Sequence, residues 1–122
     1  CAMPPATQAA SIRAWQDEAH VVENRTLYTE KFDAVLDILA PLLDIRSPDA
    51  GFYLWAPTPV DDTDFARDLL AQQNVIVLPG SFLSRTVKGN NPGRNYVRMA
   101  LVAPLEDCLE AAGRIKSYIV SL

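Results

Sequence analysis

The stretch NYVRMALVAP, residues 95–104, predicts an apolar β-strand with a single arginine in its middle. Alternate residues of a strand point to opposite faces, so Arg98 shares one face with Tyr96, Ala100 and Val102. Burying a charge without a partner is costly. Arg98 is therefore either an arginine at the edge of a sheet whose head reaches water, or a donor aimed at a carboxylate or phosphate. The pattern alone favours neither interpretation.

Further elements follow from the residues on either side of this strand. Pro104 suits the first turn of a helix, after which apolar residues recur at helical spacing. The side chains predicted to face inward are Leu105, Leu109, Ala112, Ile115 and Ile119. Upstream, VIVLPG at 75–80 predicts a brief strand that Pro79 and Gly80 end. The polar residues 81–94 between the two strands predict a loop.

The first half of the chain supplies the remaining helices and strands. Thr7 is predicted to cap a first helix, and a second, long helix is predicted from Asp17 to about Ala40. Residues 42–57, LLDIRSPDAGFYLWAP, predict two short strands about a turn. Residues 61–74, DDTDFARDLLAQQN, predict a short helix with an acidic first turn. The side chains that this helix is predicted to bury are Phe65, Leu69 and Leu70.

The order of these elements predicts the fold class. It runs helix, helix, two strands, helix, strand, loop, strand, helix. This order indicates an α+β two-layer sandwich, with helices packed on one face of a small, three- to four-stranded mixed sheet. The 122 residues, 49% of them hydrophobic, suffice for one domain with a core.

Composition argues against several classes of function. A net charge of −4 is unlike that of a nucleic-acid binder, which usually carries a basic face. No apolar run is long enough to span a membrane. Cys1 and Cys108 suggest neither a disulfide framework nor a metal site, so a reducing cytoplasm is the expected compartment. Because Cys1 is not an initiator methionine, the chain is expected to be a piece of a longer protein.

Few residues besides Arg98 are candidates for a site. Arg85 and Arg94 lie in the polar loop and could line a site for an acidic ligand, although a solvated loop is the simpler interpretation of each. The acidic run at 61–64 matches a helix start better than a calcium loop. Cys108 is predicted to be a packed thiol. No Gly-rich phosphate loop, Ser–His–Asp set or HExxH motif is present, so the chain contains no complete active site.

Three segments resemble one family. They are GFYLWAPTP at 51–59, VIVLPGSFLS at 75–84 and GRNYVRMALVAPLEDCLEAAGRI at 93–115, and they are similar to the C-terminal small domain of the fold-type I, pyridoxal-phosphate-dependent aminotransferases. The resemblance covers essentially the whole chain. It implies that residues 1–16 join a large domain to the small one and that residues 17–122 form the small domain itself. Within the family, the N-succinyl-diaminopimelate aminotransferases of lysine biosynthesis are the most similar.

The resemblance implies a function for the arginine in the strand. In such enzymes the arginine of the last small-domain strand binds the α-carboxylate of the substrate, and Arg98 stands at that position. Arg85 or Arg94 is expected to help with a distal acid group. Pyridoxal phosphate is expected to be held by a large domain that this chain lacks. The lysines present, none of which matches the family's cofactor lysine, are Lys31, Lys88 and Lys116.

The whole protein is then expected to be a homodimeric succinyldiaminopimelate transaminase that uses glutamate and 2-oxoglutarate as its partner pair, and the 122 residues alone to be inactive. The expected partners are the large domain of the same chain and small dicarboxylic amino and keto acids, with no nucleic acid and no membrane. Two other classes stay open, namely the effector domain of a pyridoxal-phosphate-type transcriptional regulator and a free-standing domain that binds carboxylic acids. Another acidic amino-acid aminotransferase is the alternative among enzymes.

Overall fold

Five helices and three strands make up the part of the chain that the computed structural model describes, residues 2–122. In chain order they are α1 (Pro5–Gln16), α2 (Ala19–Leu39), β1 (Tyr53–Pro57), α3 (Asp62–Gln73), β2 (Leu78–Pro79), α4 (Gly80–Leu83), β3 (Tyr96–Ala100) and α5 (Leu105–Val120). None of these helices is long and apolar enough to cross a bilayer.

The strands form one sheet in the order β1-β3-β2, with the arginine-bearing strand in the centre. Arg98 pairs with Trp55 on one side and with Leu78 on the other. Both pairings are antiparallel, so the expectation of a mixed sheet was wrong. Strands β1 and β2 do run in the same direction, but β3 lies between them and pairs with each in the opposite direction.

The main helices cover one face of this sheet, which confirms the α+β class. Helix α5 packs against α2 and α3, and α3 also contacts β2 and β3. The alternation along β3 sends Val97 and Met99 into the core, as the period of a strand requires. The buried apolar residues are Phe32, Val35, Leu39, Leu43, Leu54, Ala56, Phe65, Leu69, Val77, Val97, Met99, Leu101, Cys108, Ala112, Ile115 and Tyr118.

The segment after α2 differs from its prediction as the first strand of a hairpin. The backbone N–H groups of Leu42 and Leu43 both donate to the carbonyl of Leu39, at 3.0 Å, so the chain leaves α2 through a tight turn. That turn buries Leu43 in the core, and only the second predicted strand forms. An apolar pair after a helix cannot by itself distinguish a closing turn from a short strand.

Smaller differences concern caps, burial and the polar loop. Helix α1 begins at Pro5 with Pro4 before it, so Thr7 lies inside the helix and does not cap it. Leu70 is 46% exposed, and the third buried residue of α3 is Asp62. The loop predicted from residue 81 begins with the single helical turn of α4.

Helix α1 stands apart from this domain. None of its residues is buried, and within residues 2–122 it makes no packing contact with another helix or strand. Its apolar side chains are exposed, with Ile12 at 57% and Trp15 at 86%. The division of the chain into a connecting segment at 1–16 and a domain at 17–122 stays a prediction.

Candidate carboxylate-binding site

Arg98 lies on the central strand of the sheet, on the face opposite the long helices. This open face carries the outward side chains of the two long strands, Tyr53, Trp55, Tyr96, Arg98 and Ala100. Arg98 itself is half-buried. The interpretation of Arg98 as an edge arginine is wrong, because β3 has a paired neighbour on both sides.

Aromatic residues lie next to Arg98 on the open face, and the Tyr53 ring contacts its guanidinium. The rings of Trp55 and Tyr96 stack with their centroids 5.7 Å apart and their planes within 9°. The Cζ atom of Arg98 lies 5.5 Å from the centroid of the Tyr53 ring, within the range of a cation–π contact. Phe52 meets the same ring edge-on at 5.7 Å.

The guanidinium has no acid partner within the chain from residue 2 onward. Among these residues Arg98 takes part in none of the ion pairs, and its buried Nε atom has no hydrogen-bond partner. A positive group left without a counter-ion on a partly buried surface favours the binding of an anion. The planar fork of arginine matches a carboxylate with two parallel hydrogen bonds.

Asp62 fixes the start and end of the segment that leads to β3. Its carboxylate is 1% exposed and accepts the backbone N–H of Ser81 at 2.9 Å and that of Asn95 at 3.1 Å. Burial acts to raise the pKa of Asp62, but the donors at Ser81 and Asn95 outweigh it and leave the pKa below its ordinary value. The acidic helix start was the one local signal at this position, and sequence reasoning missed its long-range role.

The polar loop is ordered by its own contacts. A Cβ placed on Gly93 would lie 2.1 Å from the carbonyl oxygen of Gly80, so the two backbones pack directly on each other. The Ser84 hydroxyl lies within hydrogen-bond distance of the Asn91 amide oxygen and 3.0 Å from the Gly80 carbonyl oxygen. The backbone N–H of Gly93 donates to the same Ser84 hydroxyl. The Asn91 amide donates to the carbonyl of Ser81 at 3.1 Å. These contacts fix the path of the loop that leads into β3.

The two loop arginines lie outside this network. Arg94 is largely exposed, with its guanidinium 3.9 Å from the carboxylate of Asp61. Arg85 is exposed and forms no ion pair with residues 2–122. No hydrogen bond joins either of them to Arg98, and their part in recognising a distal acid stays a prediction.

Other chemical groups of the described residues lie away from the open face. Cys108 lies on the buried side of α5, and burial raises the pKa of its thiol, as is typical of a packed cysteine. No group of three or more metal-ligating side chains occurs among residues 2–122. A cleft of about 690 Å³ between α2 and residues 47–52 is lined by Tyr28, Phe32 and Phe52, without Arg98.

The small antiparallel sheet thus carries the long helices on one face, and on the other an arginine without an acid partner among residues 2–122. The family model of the class I and II aminotransferases matches residues 1–115, and the chain belongs to that family.

Several relatives show which aminotransferases it is similar to. An aminotransferase from Neisseria meningitidis Z2491 is 49% identical, with a TM-score of 0.91 over 96% of this chain and 30% of its own. A probable N-succinyldiaminopimelate aminotransferase from Thermus thermophilus is 37% identical, with a TM-score of 0.61 over 75% of this chain and 23% of its own. The LL-diaminopimelate aminotransferase of Syntrophobacter fumaroxidans is 35% identical over 91% of this chain and 28% of its own. The chain thus spans less than a third of each.

The family depends on pyridoxal phosphate, and the described residues do not fit that cofactor. Pyridoxal phosphate requires a lysine beside the substrate to form its Schiff base, and the strands that form the open face contain no lysine. Lys31 donates to the carbonyl of Leu101 at 3.2 Å and lies 5.1 Å from the ring centroid of Tyr28 on α2. Lys88 lies in the polar loop and Lys116 on the exposed side of α5.

Proposed function

We propose that this chain is the substrate-carboxylate-binding domain of an aminotransferase. The observation that carries the proposal is the guanidinium of Arg98, which has no acid partner among residues 2–122 and lies on the central strand, on the sheet face opposite the long helices. A second domain of the same protein would face this surface and bring the cofactor to it. The exposed apolar residues of α1 are consistent with such a neighbour.

In the proposed mechanism, Arg98 holds the α-carboxylate of the amino acid through two charge-assisted hydrogen bonds. Each hydrogen bond of this kind contributes about 1.5–3 kcal/mol. Holding the carboxylate fixes the direction of the Cα–H bond, which must be aligned before its proton can be removed. Pyridoxal phosphate, when bound by the rest of the protein, supplies the electron sink.

We further propose that the substrate is a diaminopimelate derivative, with glutamate as amino donor and N-succinyl-2-amino-6-oxopimelate as acceptor. Two of the relatives carry diaminopimelate in their names, one with a succinyl group and one without. A succinylated substrate has an additional acid group, and we propose that Arg85 or Arg94 of the loop binds it. Alanine at either position should lower the preference for the succinylated over the unmodified keto acid.

The experiment is a transamination assay on the protein from the complete reading frame, supplied with pyridoxal phosphate, glutamate and each keto acid in turn. Formation of 2-oxoglutarate with the succinylated acceptor, and none from residues 1–122 alone, is the expected result. Turnover with other acceptors only would preserve the role of Arg98 and overturn the substrate. Absence of any transamination would overturn the proposal and favour a free-standing carboxylate-binding domain.

A further inference from the structure

We propose that Tyr53 is a positioning residue for Arg98. Its ring holds the guanidinium in place from one side while the N–H donors of the fork stay free for the substrate. The inference rests on the proposed function, which it deepens by naming the group that orients the carboxylate-binding fork. Tyr53 itself touches neither the substrate nor the cofactor, and it acts only through Arg98.

The register of the sheet creates this contact. Trp55 stands directly opposite Arg98, and Tyr53 stands opposite Ala100, one diagonal step away from Arg98. Diagonal neighbours on one face of an antiparallel pair are within reach of long and aromatic side chains. The Trp55 ring uses the equivalent diagonal in the same direction to stack on Tyr96. Tyr53 is thus the ring that remains for the guanidinium.

An aromatic ring suits this task better than a carboxylate. A neighbouring Asp or Glu would hold the arginine with the same N–H groups that must bind the substrate, and would compete with it. A ring face attracts the cation through its π electrons and accepts none of the in-plane N–H donors. The absence of an ion pair at Arg98 within residues 2–122 and the 5.5 Å distance from Cζ to the Tyr53 centroid agree with this arrangement.

The ring is itself constrained on its other side. Phe52 meets it in an edge-to-face geometry, with an angle of 84° between the ring planes. Such pairs favour one relative orientation of the two rings. Tyr53 is nevertheless 37% exposed, so a substitution there removes the ring without opening the core.

The test uses the complete enzyme with pyridoxal phosphate bound and compares Tyr53→Leu with Tyr53→Phe. The energy of a cation–π contact corresponds to a factor of about 2–30 in affinity, so Tyr53→Leu should lower kcat/KM for glutamate by about that factor. The dissociation constant of glutarate, an unreactive dicarboxylate, should rise in parallel by calorimetry. Tyr53→Phe should restore both values. Tyr28→Leu, which removes the ring beside Lys31, is the matched control and should change neither.

A double-mutant cycle separates this inference from the proposed function. If Tyr53 acts through Arg98, then Tyr53→Leu should have no further effect in an Arg98→Leu background. An equal loss in both backgrounds would overturn the role of Tyr53 and leave that of Arg98 standing. An Arg98→Leu enzyme with unchanged kcat/KM would overturn the proposed function instead.

If Tyr53→Leu fails to fold, phenylalanine and its fluorinated derivatives at position 53 provide a second test of the cation–π contact with Arg98. Fluorine withdraws charge from the ring face and leaves the ring's shape nearly unchanged. The dissociation constant of glutarate should rise stepwise as the number of fluorine atoms on the ring at position 53 increases from zero to three. A flat series would contradict the inference.

Discussion

Asp62 provides the sharpest stability test, because one buried carboxylate joins helix α3 to both ends of the segment leading into β3. Replacing Asp62 by alanine removes both acceptors and leaves the N–H groups of Ser81 and Asn95 without partners. Hydrogen bonds to a charged group contribute about 1.5–3 kcal/mol each. The free energy of unfolding should therefore fall by about 3–6 kcal/mol in Asp62→Ala, and by about 1.5–3 kcal/mol in Asp62→Asn, which keeps one acceptor.

The effect should also depend on pH. The folded pKa of Asp62 lies below its ordinary value of 3.8, so the unfolded chain binds the proton more readily. The stabilisation from this group is complete above about pH 4 and declines as the pH falls from there through the folded pKa. Asp62→Asn cannot titrate, so the difference in unfolding free energy between the wild type and this variant should shrink at about pH 3.

Urea unfolding of the 122-residue chain, followed by tryptophan fluorescence at about pH 7 and about pH 3, measures both effects. Asp64→Asn is the matched control, because Asp64 lies in the same first turn but is exposed, with only Arg67 as its ion-pair partner. It should change the free energy of unfolding far less than Asp62→Asn. Equal losses from the two substitutions at neutral pH would refute the assigned role of Asp62.

Two further predictions concern packing and reactivity. Gly93→Ala should lower the free energy of unfolding by more than about 3 kcal/mol in urea, because its Cβ would lie against the carbonyl of Gly80. Gly113→Ala, which has open space around it on α5, is the control and should raise the free energy of unfolding by about 0.5–1 kcal/mol. Comparable losses from the two substitutions would contradict the close packing of Gly93 on Gly80. Cys108, in a Cys1→Ser background, should react with an aromatic disulfide reagent at about pH 8 only after urea is added, because burial raises the pKa of its thiol. Prompt reaction in the folded chain would contradict the placement of Cys108 in the core.

Local patterns were sufficient for most of the fold. The period of β3 predicted the face that the structure buries, and the spacing of α5 predicted the burial of Ala112 and Ile115. Leu105, Leu109 and Ile119 were also predicted to face inward but are only half-buried, and Tyr118, which the prediction missed, is fully buried. The strand direction was not predictable in this way, because the insertion of β3 between β1 and β2 depends on long-range pairing. Likewise, the sequence predicted Leu43 as part of a strand, because the turn that the chain makes after α2 is not encoded in its local apolar pattern.

The site was predictable only in part. A lone arginine in an apolar strand was signal enough to single out Arg98, but its central place in the sheet required the pairing with Trp55 and Leu78. The contact with Tyr53 depends on a diagonal across two strands that are far apart in sequence, and no local pattern encodes it. The burial of Asp62 was hidden in the same way, since its donors lie in the later loop.

Whether Arg98 binds the substrate carboxylate is tested most directly by the kcat/KM of the complete enzyme for glutamate, measured for the wild type and for Arg98→Lys. Lysine keeps the charge and loses the two-pronged geometry, so we predict a fall of about 10- to 150-fold. Arg114→Lys on α5, where Arg114 pairs with Glu110 far from the open face, should leave the value unchanged. An Arg98→Lys enzyme with wild-type kcat/KM would show that Arg98 does not bind the substrate carboxylate.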